Sequence, residues 1–185
     1  MKDAAPSESR LASSARFLGG ALAGLGLHEA AHLTLDVVFD ADPSLKRVEF
    51  HGIPFFAITH RPDVSRRRAL AIDSAGFTAQ HAGSEWILTR RPGLRRERAP
   101  AMKGLLAFNI LTSTAYAGAA FARTGPYERD TRGIASAARI DERWVGALVL
   151  APAVLDGLRY FHPGAKWAVW SSRGVKIGML LLVFR

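Results

Sequence analysis

The chain of 185 residues contains no cysteine, which excludes disulfides, thiol catalysis and cysteine-ligated metals. Any metal ion would have to be bound by histidine, aspartate or glutamate side chains. Acidic residues are also few, 16 against 25 lysines and arginines, and the formal net charge is therefore +9. Such a basic chain is typical of a nucleic-acid binder, or of a membrane protein whose basic loops face anionic lipid.

Nucleic-acid-binding motifs are absent as well. The arginines cluster in RPDVSRRR (61–68) and RRPGLRRER (90–98), between apolar stretches and without interleaved aromatic residues. We therefore expect no nucleic-acid partner. The first apolar stretch lacks a small-residue cleavage pattern, so we also expect no secretory signal peptide. Residues 1–16 are small and polar, and we predict a disordered N-terminal tail there.

Five apolar stretches follow, at 17–39, 69–88, 104–122, 144–161 and 175–184. Several have about the 20 residues that a helix needs to cross a bilayer. We predict a mostly α-helical, polytopic membrane bundle, with residues 17–185 forming one membrane-embedded domain in a bacterial cytoplasmic membrane. The segments LKRVEF and PFFAITH flank an HGIP turn, which predicts a short β-hairpin after the first helix. Because the mean hydropathy is only +0.06, a soluble protein with buried helices stays open as the alternative.

The stretch 69–88 has arginines on both sides, at Arg66–Arg68 and at Arg90–Arg91. Under the positive-inside rule both flanks would lie in the cytoplasm, which a simple span does not allow. A segment that dips into the membrane and returns would satisfy the rule, and Gly76 and Gly83 would permit such a bend.

The first apolar stretch contains the sequence HEAAH. His28 and His32 are four residues apart and lie on one face of a helix, with Glu29 on the adjoining edge. This spacing brings two imidazoles to one metal ion and a carboxylate beside it as general base. Chance is a poor explanation, because the composition predicts about 0.01 such motifs in a chain of this length. Unpaired polar groups in lipid or in a core would also be costly. We therefore predict a metal site.

Asp36 and Asp156 are the acids considered with this motif. Asp36 continues the polar face but lies about 12 Å along the helix axis from His28. It is better placed to accept a ring N–H, or to mark the membrane boundary, than to bind the same ion. Asp156 lies near the middle of 144–161, as the histidines do in 17–39, so the groups share a depth if both stretches span. Pairing of Asp156 with Arg159 is the alternative.

The order of HEAAH, a hairpin, RRALAIDSAGFTAQ and a late LAPAVLDG resembles the site-two protease family of intramembrane zinc metalloproteases. The resemblance implies intramembrane proteolysis, in which a Zn²⁺-dependent endopeptidase hydrolyses a membrane-protein or peptide substrate within the lipid bilayer. It implies zinc ligands at His28, His32 and Asp156, and a general base at Glu29. Gly76 and Gln80 stand where the family's middle motif has glycine and asparagine, which implies a substrate or oxyanion contact.

Two other hypotheses remain beside this one. Phe77 stands where the family's middle motif has proline, and the usual Asn-x-x-Pro before Leu-Asp-Gly is absent. These departures favour a non-proteolytic membrane protein that retains a structural metal site. The third hypothesis is a soluble metallopeptidase of the HExxH type, which would need no detergent for extraction.

Overall fold

The apolar stretches are helical in the computed structural model, which describes residues 9–50 and 53–183. Its elements are α1 (Arg10–Val38), β1 (Ser44–Phe50), β2 (Ile53–Thr59), α2 (Arg66–Arg90), a 3-10 turn (Leu94–Arg96), α3 (Pro100–Ala122), α4 (Asp130–Ala138), α5 (Glu142–Phe161) and α6 (Lys166–Val183). The mostly α-helical class and the hairpin after the first helix are confirmed. Within the described residues, two helices, α3 and α5, are long and apolar enough to cross a membrane.

The first helix begins earlier than the sequence suggested. Helix α1 starts at Arg10, and the Ser9 hydroxyl caps it by accepting the Ala12 N–H at 3.2 Å. The prediction of a disordered tail is therefore wrong for residues 10–16, because a serine cap and good helix formers extend α1 by two turns. Residues 1–8 of the predicted tail lie outside the described residues.

Strands β1 and β2 pair antiparallel, from Ser44 opposite Thr59 to Phe50 opposite Ile53. This register places the two predicted β-rich segments directly against each other. The turn predicted at HGIP falls on His51 and Gly52, which the structure does not describe. The hairpin leads the chain from the end of α1 to the beginning of α2.

Helix α2 is the central helix, and it packs against α1, α3, α4, α5 and α6. It is continuous from Arg66 to Arg90, with no interruption at Gly76 or Gly83. The dipping segment suggested for 69–88 is therefore wrong. Protein surrounds α2 on most sides, which explains why this helix carries more polar residues than its neighbours.

Helices α1 and α3 approach each other closely through glycine. A Cβ added to Gly20 would lie 2.7 Å from the carbonyl carbon of Ala101, and one added to Gly104 would lie 2.8 Å from that of Phe17. Only residues without side chains fit at these crossing points, as in the small-residue packing common between membrane helices.

The outer helices bury small or polar residues and expose large apolar ones. The buried positions of α1 repeat every fourth residue, and those of α6 do the same. The exposed side chains of α1 include Leu18, Leu22, Leu25, Leu33 and Val37, and those of α6 include Trp167, Trp170, Ile177 and Leu181. The arrangement is the reverse of a water-soluble helix, whose apolar stripe faces the core.

Candidate metal centre

His28 and His32 occupy successive turns on the buried face of α1, and Asp130 of α4 meets them. Asp130 Oδ2 lies 3.0 Å from His28 Nε2 and 3.5 Å from His32 Nε2, and the two Nε2 atoms are 3.2 Å apart. The three side chains are 3%, 8% and 18% exposed in the order His28, His32, Asp130. Together they form a group that could hold a metal ion.

The spacing of these three donor atoms fits a tetrahedral ion. Two ligand atoms about 2.0–2.1 Å from one metal at the tetrahedral angle lie about 3.3–3.4 Å apart. The observed separations of 3.0, 3.2 and 3.5 Å surround that value. The group therefore matches one triangular face of a tetrahedral coordination shell and leaves the fourth position for another ligand.

Hydrogen bonding fixes the orientation of the His32 ring. Its Nδ1 donates to the Ile72 carbonyl oxygen of α2 at 2.7 Å, so Nε2 is the ring nitrogen that faces His28 and Asp130. Metal-binding histidines commonly donate their second ring N–H to a backbone carbonyl, which holds the ring in place. The His28 Nδ1 has no hydrogen-bond partner among the described residues.

Helix α4 positions Asp130, and a buried ion pair anchors its beginning. Arg129 donates to both Glu142 carboxylate oxygens, at 2.7 and 2.6 Å, and to the Pro126 carbonyl oxygen at 2.8 Å. Thr131 donates to the same carboxylate at 2.7 Å. Burial opposes the charged form of Asp130, but hydrogen bonds from His28 and His32 hold the pKa of its carboxyl below its usual range.

Gly76 of α2 lies directly against the His28 ring. A Cβ at this position would lie 2.5 Å from both ring nitrogens. Phe77 packs edge-on against the same ring, with centroids 5.7 Å apart, and Tyr116 of α3 packs edge-on against Phe77. The structure therefore places Gly76 against His28, where the absence of a side chain makes room for the imidazole.

Glu29 is half-buried on the edge of α1 next to the two histidines. Its charge acts on His32 and on Tyr116. The carboxylate forms no hydrogen bond or ion pair with any residue in 9–50 or 53–183. Glu29 is thus an acid beside the group of donors that has no described hydrogen-bond or ion-pair partner.

Asp156 lies elsewhere, and its prediction as the third ligand is corrected by this placement. It accepts hydrogen bonds from Lys176 at 2.8 Å, Ser172 at 2.7 Å and Arg159 at 3.3 Å. Two cations from α5 and α6 balance its charge, so it is already engaged. The structure shows the alternative drawn from the sequence, in which Asp156 pairs with Arg159. Asp130 occupies the third position of the group.

Asp36 and Gln80 are both buried near the centre without joining it. The Asp36 oxygens have no hydrogen-bond partner within the described part of the chain, and the Ile72 carbonyl takes the ring N–H predicted for Asp36. Gln80 lies one turn along α2 from Gly76. Its amide oxygen and nitrogen are likewise without a described partner.

A second acid–histidine contact lies at the hairpin end of the bundle. His60 follows β2, and its Nε2 lies 3.5 Å from Asp73 Oδ1 of α2. The hydrogen bond to Asp73 raises the pKa of His60 to about 8, against the opposing effect of partial burial.

No family model matches the chain, and no curated protein or solved structure matches it.

Proposed function

We propose that the chain is a zinc-dependent endopeptidase that acts within a membrane. The observation that carries the proposal is a carboxylate, Glu29, that has no partner among the described residues and lies beside three convergent donors at His28, His32 and Asp130. Nitrogen and oxygen ligands from three side chains, with one position left over, are typical of catalytic zinc sites.

His28 Nε2, His32 Nε2 and Asp130 Oδ2 are the atoms that would hold the ion. Zinc bound there supplies a Lewis acid that makes water acidic near neutral pH and polarises a peptide carbonyl. The Ile72 carbonyl accepts the Nδ1 proton of His32, which leaves Nε2 as the ring nitrogen that would bind the ion. The Arg129–Glu142 pair holds the beginning of α4 and with it the third ligand.

Glu29 is the proton carrier in this proposal. Its carboxylate accepts a proton from water as the peptide bond is attacked, and then delivers that proton to the leaving amine nitrogen. A carboxylate already engaged with arginine or lysine would be a weaker base, because a neighbouring cation stabilises its charged form. Glu29 has no such described partner.

Gln80 is the candidate contact for the substrate. Its buried amide can both donate and accept, and both of its atoms lack a described partner. An amide N–H aimed at a peptide carbonyl would hold the substrate in place and stabilise charge on its oxygen. Gly76 on the same helix contributes space for His28 and is not proposed as a substrate contact.

The membrane location is proposed from the outward faces of the helices. Large apolar residues cover the outside of α1 and α6, whereas glycine, serine, histidine and lysine face inward. Lipid tails suit this surface better than water does. We therefore propose that the substrate is a membrane protein or a membrane-bound peptide. The proposed location is a bacterial cytoplasmic membrane.

The chain is proposed as a divergent member of the site-two protease family. His28, Glu29 and His32 support this assignment through their motif and their geometry. The third ligand departs from the pattern, since Asp130 of α4 stands with the histidines and Asp156 of the LDG sequence does not.

Cleavage of a synthetic transmembrane peptide by the purified, zinc-loaded chain in vesicles tests the proposal. Glu29→Gln should retain zinc and lose activity by about 10²–10⁴-fold, which is the usual contribution of a general base. Glu97→Gln is the matched control, because Glu97 pairs with Arg91 at the surface. Equal cleavage by Glu29→Gln and by the parent chain would refute the role of Glu29.

A structural metal site is the second candidate function, and the burial of the two histidines favours it. Such a site has all ligand positions filled and carries no exchangeable water. Under this alternative, removal of zinc would lower the melting temperature, and no peptide would be cleaved at any zinc concentration.

A further inference from the structure

A second site lies on the opposite side of α2 from the metal centre. A cavity of about 570 Å³ opens between α2 and α6, within the range of about 300–1,000 Å³ usual for ligand sites. Its apolar wall includes Trp86, Ile177 and Leu180, and its polar wall includes Glu85, Arg173 and Lys176.

The polar wall belongs to a partly buried network that has fewer anions than cations. Glu85 pairs with Arg159, with Arg173 at 2.8 Å and with Lys176 at 3.1 Å, and Asp156 pairs with Arg159 and Lys176. Three cations therefore share two carboxylates. Charged groups inside an apolar protein are costly unless they are balanced, so the network has room for one more negative charge.

Two further groups on the cavity wall have no partner among the residues that the structure describes. Arg90 forms no ion pair with a residue that the structure describes, and it lies on the same wall. His81 is only 5% exposed, lines the cavity, and its Nε2 has no hydrogen-bond partner in the described part of the chain. A buried ring nitrogen left unpaired is unusual and points to a ligand that would satisfy it.

We propose that this cavity binds a phospholipid with an anionic headgroup. The phosphodiester would supply the missing negative charge to Arg173 and Arg90, and the acyl chain would lie along Trp86, Ile177 and Leu180. A free phosphate ion would leave these three apolar side chains uncovered. The inference rests on the proposed membrane location and is independent of the proposed peptidase activity.

Trp86 makes the test specific to this cavity. All four tryptophans are exposed. Trp144, Trp167 and Trp170 can be changed to phenylalanine, which leaves Trp86 as the single fluorophore. This chain is placed in phosphatidylcholine vesicles that contain a minor fraction of brominated phosphatidylglycerol or of brominated phosphatidylcholine. Bromine quenches a tryptophan that it contacts. Because Trp86 is exposed to either lipid, the difference between the two quenching curves reports which lipid the cavity prefers.

We expect the brominated anionic lipid to quench Trp86 at about fivefold lower content than the zwitterionic one, since one basic residue near lipid contributes roughly that factor. Arg173→Gln should remove this preference, and Arg90→Gln should reduce it. Arg95→Gln, a cation outside the cavity, is the matched control and should leave the preference unchanged.

Equal quenching by the two brominated lipids would overturn the proposal without any variant. If Arg95→Gln loses the preference for anionic lipid as fully as Arg173→Gln does, the preference comes from general surface charge and the proposal is overturned too. Inorganic phosphate is added at constant ionic strength as a competitor. If it abolishes the preference for anionic lipid, the occupant of the cavity is a free phosphate ion and the lipid proposal is overturned. Because zinc and substrate are absent from this assay, an inactive peptidase would leave the expected quenching intact.

Discussion

Replacement of Gly76 by alanine is expected to prevent metal binding at the proposed centre. The added Cβ would lie 2.5 Å from both ring nitrogens of His28, whereas non-bonded heavy atoms prefer about 3.5–4.0 Å. The ring must therefore move by about 1 Å, several times the roughly 0.2 Å that metal–ligand distances tolerate. His28 cannot turn aside freely, because His32, Asp130 and Phe77 surround it.

We expect Gly76→Ala to lower zinc affinity about 100-fold, the upper end of the range for changes that disturb the support of a metal-binding residue. Zinc affinity is measured by competition with a chromogenic chelator, and folding is checked by circular dichroism. Gly83→Ala on the same helix is the control, since its nearest neighbours lie at 3.6 and 4.0 Å. It should keep its zinc and gain about 0.5–1 kcal/mol in stability from the better helix former.

The opposite pattern would refute the reasoning. If Gly76→Ala bound zinc as tightly as the parent chain, α2 would have moved away and the His28 ring would not be held in place. Equal losses of zinc in Gly76→Ala and Gly83→Ala would also show that alanine acts through α2 as a whole and not through contact with the imidazole.

Three further substitutions test the packing and charges described above. Gly20→Ala should destabilise the chain by about 2 kcal/mol or more, because its Cβ meets the backbone of α3. Gly19→Ala is the control and should not destabilise it, since nothing lies within 4 Å of the added Cβ. Thermal unfolding in detergent compares the two variants. Asp156→Asn should cost about 3 kcal/mol in the same assay, since it leaves Lys176 and its partners short of negative charge. The pKa of His60 is raised to about 8 in the folded chain, so the His60–Asp73 contact stabilises fully below about pH 6.5 and is lost as pH rises through 8. His60→Gln should remove this loss, which amounts to about 1–2 kcal/mol after allowance for solvent screening.

Each of these expectations has an outcome that would contradict it. Similar melting temperatures for the two glycine variants would mean that α1 and α3 are not in close backbone contact. An unchanged stability in Asp156→Asn would show that its partners find other counterions. A parent chain whose stability is flat between pH 6 and 9 would exclude a protonated His60 in the folded state.

The sequence was a good guide wherever chemistry and local structure coincide. HEAAH lies on a single helix, so its spacing alone brings His28 and His32 together and places Glu29 beside them. The hairpin could be read from alternating β-branched and aromatic residues, and β1 and β2 agree with it closely. The long apolar stretches likewise predicted helices, but the residues at which these helices begin and end were predicted less well.

The third member of the group could not be found in this way. Asp130 lies 102 residues from His28, in a polar segment where only the fold shows which acid turns inward. The choice of Asp156 depended on equal depth in a membrane, and depth does not tell which side of a helix faces the histidines. Lys176, which pairs with Asp156, lies inside the apolar stretch 175–184, and nothing local in that stretch shows which acid it meets.

Helix α6 shows the same effect. Its apolar run begins near residue 175, but the helix begins at Lys166. Arg173 and Lys176 interrupt the apolar pattern because they pair with Glu85 of α2. Ion pairs between distant helices leave no local signal in a sequence, so the beginning of α6 and its polar network became visible only in three dimensions.

The zinc content of two aspartate variants tests the metal centre most directly. Monomeric, folded protein is isolated by size exclusion, and bound zinc per chain is measured by elemental analysis for the parent, Asp130→Ala and Asp156→Asn. We predict one zinc per chain in the parent and in Asp156→Asn, and almost none in Asp130→Ala. Full zinc in Asp130→Ala together with its loss in Asp156→Asn would contradict the site at His28, His32 and Asp130.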